Sequence, residues 1–360
     1  MSMPRFLALA LTLALAAAGG AIAALLDLPV AWLLGSAIVV SIASLSGVDT
    51  RMPDSWRNAT FIVLGIQAGA GVTPDVVDQL ALWPLSFAIQ MLGVAAVVVA
   101  TYFFLRKSFG WDKETALFSA LPGAMSFVLV AASETRADMT RITVVQSVRL
   151  LLLLGALTPT LAWLEGGEGI IAASRGADGP LSEYAILVVV CLVGAWLGHR
   201  SRLPGGLLLG ALAASAVLHV TGIAPVGVPQ PIAIACLVLL GAVIGGRLKP
   251  ENRAAMLELL PASLGAFAIG LGLSGIAALI AWQTLGIGFG KIALAYAPGA
   301  LEALTVLAYQ FNLDPAYVAA HHVVRFVCIA LLVPVLARRM SVSAVKPPAH
   351  DAGELEGRDD

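Results

Sequence analysis

The sequence predicts an all-α integral membrane protein made of two homologous repeats, with about ten transmembrane helices and two re-entrant Pro-Gly segments. Three observations carry that expectation. The composition is too apolar for a water-facing surface, apolar segments of bilayer-crossing length recur along nearly the whole chain, and a register of unusual residues repeats about 175 positions later.

Of the 360 residues, 59% are hydrophobic and only 12% charged, with a mean hydropathy of +0.92. A soluble domain carries about 25% charged residues because its surface must face water. Half that fraction leaves most of this surface facing something apolar. The net charge of −1 and the lack of a basic patch give no sign of a nucleic-acid partner. The partner to expect is the lipid bilayer.

Apolar segments lie at roughly 5–26, 29–47, 58–72, 84–105, 115–133 and 142–164, then 184–198, 204–220, 231–246, 259–284, 291–309 and 317–337. Most approach the ~17–25 residues needed to cross a bilayer. In lipid the backbone must satisfy its own polar groups, so these segments are helices. The first resembles a secretory signal, with Arg5, a Leu/Ala core and small residues at Ala21-Ile22-Ala23. Its counterpart at 184–198 lies mid-chain and cannot be one, so both are read as spans. The expected organisation is a first repeat over 1–164, a Gly-rich linker over 165–183, a second repeat over 184–339 and a disordered tail over 340–360.

The duplication rests on residues in register. Leu28-Pro29-Val30-Ala31-Trp32-Leu33-Leu34-Gly35 matches Leu203-Pro204-Gly205-Gly206-Leu207-Leu208-Leu209-Gly210, and Gly65/Gly69 matches Gly241/Gly245. Leu121-Pro122-Gly123-Ala124-Met125 matches Ala297-Pro298-Gly299-Ala300-Leu301. Asp138, Gln146 and Arg149 match Asp314, His322 and Arg325.

Loop charge sets the direction of the repeats, since Lys and Arg favour the cytoplasm. Twelve spans would put Arg136, Arg141, Arg200, Arg202, Arg247, Lys249 and Arg253 outside, against twelve basic residues inside. If the two Pro-Gly segments enter and leave on one side, seventeen lie inside and only Arg175 and Lys291 outside. Ten spans then give inverted repeats with both termini cytoplasmic. Many secondary transporters build a midplane site from such repeats and their broken segments.

Pro122 and Pro298 either kink an ordinary spanning helix or suit the first turn of a new half-helix, where the missing donor costs nothing. The amides of Gly123, Ala124, Gly299 and Ala300 would then be free to favour an anion. Ionisable groups within apolar helices mark the remaining candidates. Glu302 either binds a cation or proton or caps its helix, and Ser126 stands in its place in the first repeat. Arg149 and Arg325 either hold an anionic solute, pair with Glu302, snorkel, or bond backbone carbonyls. Asp314-Pro315 reads as a helix start capped by Asp314. His321-His322 either relays protons or is satisfied by carbonyls. The glycine pairs permit close helix contact, and Gln67 between the first pair suits a polar path. Cys191, Cys236 and Cys328 read as packing residues, and the histidines lack metal-site spacing, so no cofactor or metal is expected.

The paired Leu-Pro…Leu-Leu-Gly openings, the Pro-Gly-Ala segments and the Asp-x(10)-Arg pattern resemble the bacterial AbrB-type membrane family over about residues 10–340. The second repeat carries the likeness best. Ala297-Pro298-Gly299-Ala300-Leu301-Glu302-Ala303 is similar to that family's Pro-Gly-Gly-x-x-Glu-Met pattern, with Ala300 and Ala303 as departures, and the first repeat lacks the glutamate. The resemblance implies an inner-membrane protein of a family catalogued as ammonia monooxygenases or regulators of aidB expression. Together the features predict a secondary transporter of a small solute, anions favoured, moving with H+ or Na+, with a homodimer as a further partner. A membrane-embedded regulator is the alternative, and an oxygenase a distant third because no ligand cluster is spaced for a metal.

Overall fold

A computed structural model describes residues 5–72, 80–123, 125–165, 179–203, 205–249 and 252–342. The first half carries α1 (Arg5–Leu25), α2 (Ala31–Leu45), α3 (Asp54–Ala70), α4 (Trp83–Phe109), α5 (Lys113–Ala120), α6 (Met125–Ser133) and α7 (Met139–Leu164). The second carries α8 (Leu181–Arg200), α9 (Gly206–Val220), α10 (Gln230–Gly245), α11 (Asn252–Leu285), α12 (Phe289–Tyr296), α13 (Leu301–Gln310) and α14 (Pro315–Val342). No strand occurs among the described residues. Each helix of the second half starts 175 or 176 positions after its counterpart, except α11, which starts seven residues ahead of that register. Most of the expected linker and tail lies outside the described residues, and α14 runs three residues past the expected end of the second repeat.

Among the described residues six helices (α1, α4, α7, α8, α11 and α14) are long and apolar enough to cross a membrane. The other expected spans are shorter than anticipated. Helices α2 and α9 have 15 residues each, α10 has 16 and α3 has 17. At 1.5 Å per residue they reach about 23–26 Å, less than the ~30 Å apolar thickness of a bilayer. They pack against one another in the interior, where protein rather than lipid surrounds much of their length.

That interior is stitched across the halves. Helix α3 packs on α9, and α10 packs on α2. A Cβ on Gly65 or Gly69 would come within 2.4 Å of the Leu208 or Leu212 carbonyl oxygen. On Gly241 or Gly245 it would come within 2.7 Å of the Leu33 or Ala37 carbonyl oxygen. Only glycine permits this approach, and the two seams use matching positions. The expected contact between halves is therefore present at both glycine pairs.

The two Pro-Gly segments are helical hairpins. Their limbs have 8 to 10 residues, about 12–15 Å each and roughly half a bilayer. The bases of each hairpin meet. The Thr115 hydroxyl oxygen accepts from the Asp138 amide at 2.7 Å, and Lys291 Nζ lies 2.7 Å from the Asp314 carboxylate. Each segment therefore returns to the level from which it set out.

Candidate functional site

The site grows from the hairpin tips. Helix α5 stops at Ala120, Leu121 is extended, and Gly123 takes φ +83°, a left-handed turn that favours glycine. In the second half Ala297 and Ala300 are extended before α13 begins at Leu301. Pro122 and Pro298 thus lie three residues ahead of α6 and α13, not in their first turns as expected. They serve the turn that ends the preceding limb, since proline disfavours helical backbone in the residue before it. The Gly299 amide is also not free, because it donates to the Ala297 carbonyl at 2.9 Å. No side-chain hydrogen bond caps α13, but Glu302 lies in its first turn and offsets part of the positive end of its dipole.

Two buried arginines hold the tips. Arg149 Nη2 donates to the Leu121 carbonyl at 3.1 Å. Arg325 Nη1 and Nη2 donate to the Ala297 and Gly299 carbonyls, each at 2.7 Å. Both cations therefore sit at the carbonyl ends of short helices, where the helix dipole is negative. One turn earlier, Gln146 Nε2 donates to the Phe118 carbonyl at 3.2 Å and His322 Nε2 to that of Leu294 at 3.1 Å. Of the alternatives open for the arginines, carbonyl bonding is the one observed, and neither pairs with Glu302. The tips face each other: a Cβ on Gly123 would lie 3.1 Å from Arg325 Nη2 and 3.5 Å from the Gly299 oxygen.

Around the tips opens a cavity of about 800 Å³. Arg51, Arg57, Arg149, Arg247, Lys249 and Arg325 line it against one acid, Glu302, with Phe127, Leu129, Val243 and Phe326 among its apolar walls. Arg51 and Arg57 are partly spent on Asp49 and Asp54, at 3.1 and 3.0 Å in exposed pairs. Burial holds the Arg247 guanidinium below its usual pKa; Glu302 pulls it back up and Arg57 pushes it further down. Glu302 therefore faces Arg247 without closing to a direct ion pair.

The cavity gathers Pro122, Gly123, Arg149, Pro298, Gly299, Glu302, His322 and Arg325 from the sequence candidates. Ser126 lies in the first turn of α6, with its side chain outside the described set. Asp314 is held elsewhere, eleven residues before Arg325 and about 16 Å along α14. There it caps the Tyr317 amide at 3.1 Å and pairs with Lys291, whose ammonium also lies 4.6 Å from the Tyr317 ring. His321 Nδ1 donates to the Tyr317 carbonyl at 2.8 Å, and its Nε2 accepts from the Ser86 hydroxyl at 2.8 Å, so both of its nitrogens are satisfied. Gln67 is buried and does not line the cavity. Sequence reasoning missed the mouth: Arg51, Arg57, Arg247 and Lys249 counted only as loop charges. Among the described residues no three His, Cys, Asp or Glu side chains are grouped to hold a metal ion.

These features define an all-helical protein of membrane-crossing character, with a basic chamber set between two Pro-Gly hairpins. The chain belongs to the AbrB family, whose profile, described as "Transition state regulatory protein AbrB", matches residues 32–341. It is 26% identical over 328 residues to the Escherichia coli K12 protein named "Putative regulator AbrB", covering 89% of this chain and 93% of that one. It is 22% identical over 354 residues to "Uncharacterized protein YhjN" of Bacillus subtilis 168, covering 89% and 90%.

Proposed function

We propose that the chain is a secondary transporter of small anionic solutes in the bacterial inner membrane. The observation that carries this reading is the cavity, where Arg149, Arg247, Lys249 and Arg325 outnumber Glu302 around two broken helices, Arg51 and Arg57 being paired with Asp49 and Asp54. Hairpins that return to their starting level, at matching places in two halves, support inverted repeats with ten spans and two re-entrant segments. Under the charge rule the loops around Arg51, Arg136 and Arg247 are cytoplasmic. The cavity then opens inward, and both termini lie inside. Among the described residues Arg149 makes one hydrogen bond with its five N–H groups, leaving donors for an anion. Glu302 in the first turn of α13 is the group that takes the coupling ion, H+ or Na+.

The test is counterflow in proteoliposomes with a panel of radiolabelled small mono- and dicarboxylates and inorganic anions. At least one anion should exchange, and Arg149→Ala should lower its exchange at least tenfold. No exchange across the whole panel would sink the reading.

A regulatory role is the second reading, favoured by the word "regulator" in the name of the E. coli relative. It predicts that deleting the gene alters expression of others while the purified chain moves nothing. Retention of the expression phenotype by a transport-dead Arg149→Ala chain would separate the two.

A further inference from the structure

The cavity lies between α6 and α10, which stand apart, with Leu129 on one wall and Val243 on the other. In the second half the matching pair is α13 and α3, and these two helices pack together. At an offset of 176 residues, Leu129 corresponds to Thr305, Val243 to Gln67, and the cavity-lining Gln146 to His322.

All three counterparts are buried polar residues with something missing; His322 already borders the open cavity, so Gln67 and Thr305 carry the comparison. Gln67 is 2% exposed, Thr305 0% and His322 1%. Among the described residues neither amide atom of Gln67, nor Thr305 Oγ1, nor His322 Nδ1 has a hydrogen-bond partner. Buried polar groups are nearly always paired, and each exception calls for a cause. Six other residues carry such orphan atoms, and none of them corresponds to a wall of the cavity. The orphans at α3 and α13 therefore fall where the first half holds open space.

We infer that α3, α13 and the second tip enclose a closed vestibule, the outer half of the pathway for the same small anion. It rests on the transport reading above. When α13 withdraws from α3 as α6 stands off α10, water and solute complete the hydrogen bonds of Gln67 and Thr305. The two vestibules differ in charge. Arg51, Arg57 and Arg247 at the inner mouth correspond to Gly227, Ala233 and Gly71. The outer one therefore binds its solute by neutral hydrogen bonds, with Arg325 as its cation at the tip.

The test needs no knowledge of the solute. In the full-length chain freed of Cys191, Cys236 and Cys328, Gln67→Cys and Thr305→Cys are exposed separately to a membrane-impermeant maleimide applied to intact spheroplasts. Both should be labelled from outside, whereas Leu129→Cys should be labelled only in inverted vesicles. Labelling of Gln67→Cys and Thr305→Cys only from the cytoplasmic face, or at neither position, would overturn the vestibule. Gln67→Leu provides a second measurement: removing an orphan amide should raise the unfolding midpoint of the closed protein in detergent and suppress outside labelling of Thr305→Cys. A lowered midpoint would mean that the amide serves packing, against the inference. Outside labelling without anion counterflow would leave the vestibule standing and overturn only the transport reading.

Discussion

The hairpins α5/α6 and α12/α13 share a plan but are fastened differently. Each has an eight-residue limb, a Pro-Gly break and a return limb, and each has an arginine bonded to a carbonyl 28 residues earlier. In the second hairpin the base is a Lys291–Asp314 pair with side chains 11% and 14% exposed, and nearly all of α13 is buried. In the first the base is one neutral bond from Asp138 to Thr115, and α6 offers Phe127 and Leu129 to the cavity and leaves Val130 64% exposed. A near-symmetric scaffold is thus held asymmetrically by a few side chains. The second hairpin is bolted and the first is latched.

The sharpest way to break that contrast is at the bases. Removing one partner of a buried ion pair strands the other charge, so Lys291→Met or Asp314→Asn should cost about 3 kcal/mol or more. Thr115→Val, at the same place in the first hairpin, should cost about 1 kcal/mol. Thermal unfolding in detergent measures both, and equal losses would refute the difference in fastening.

The arginines come next. Arg325 donates to two carbonyls and Arg149 to one, and a hydrogen bond involving a charge contributes roughly 1.5–3 kcal/mol. Arg325→Ala should therefore lower stability about twice as much as Arg149→Ala. Arg325→Lys should recover only part of the loss, because an ammonium lacks the fork that spans both oxygens. Full rescue by lysine would show that charge alone holds the tip.

The smallest effects belong to the tip glycines, and their causes differ. Gly299→Ala would drive a methyl to 2.4 Å from Leu153 Cδ2, an overpacking worth about 1–3 kcal/mol. Gly123→Ala meets nothing nearer than 3.1 Å, so its cost is the backbone strain of φ +83°, about 1 kcal/mol. Trimming Leu153 to Val should partly rescue Gly299→Ala and leave Gly123→Ala unchanged.

Much of this plan was legible in the sequence for identifiable reasons. Pro122-Gly123 and Pro298-Gly299 interrupt apolar runs, and the charge around Arg136 and Arg253 favours a hairpin over a crossing. Arg149 and Arg325 announced themselves by depth, but their choice of carbonyls depended on how α5 and α12 end, which propensity does not specify. The proline placement went wrong because Gly123 turns left-handed before α6 begins. The cationic mouth stayed hidden because Arg51 and Arg57 flank the start of α3 while Arg247 and Lys249 follow α10, far off in the other half of the chain. Nothing local in those segments records that they meet.

On the transport reading proposed above, a basic inner vestibule and a neutral outer one bear on direction. A cell interior held negative by 100 mV drives a monovalent anion outward with about 2.3 kcal/mol. The anionic lipids of the cytoplasmic leaflet thin out anions at that surface, where the basic mouth would collect them. A charged intake on the cytoplasmic side and a neutral exit opposite would work as a rectifier, filling from dilute solution inside and emptying readily outside.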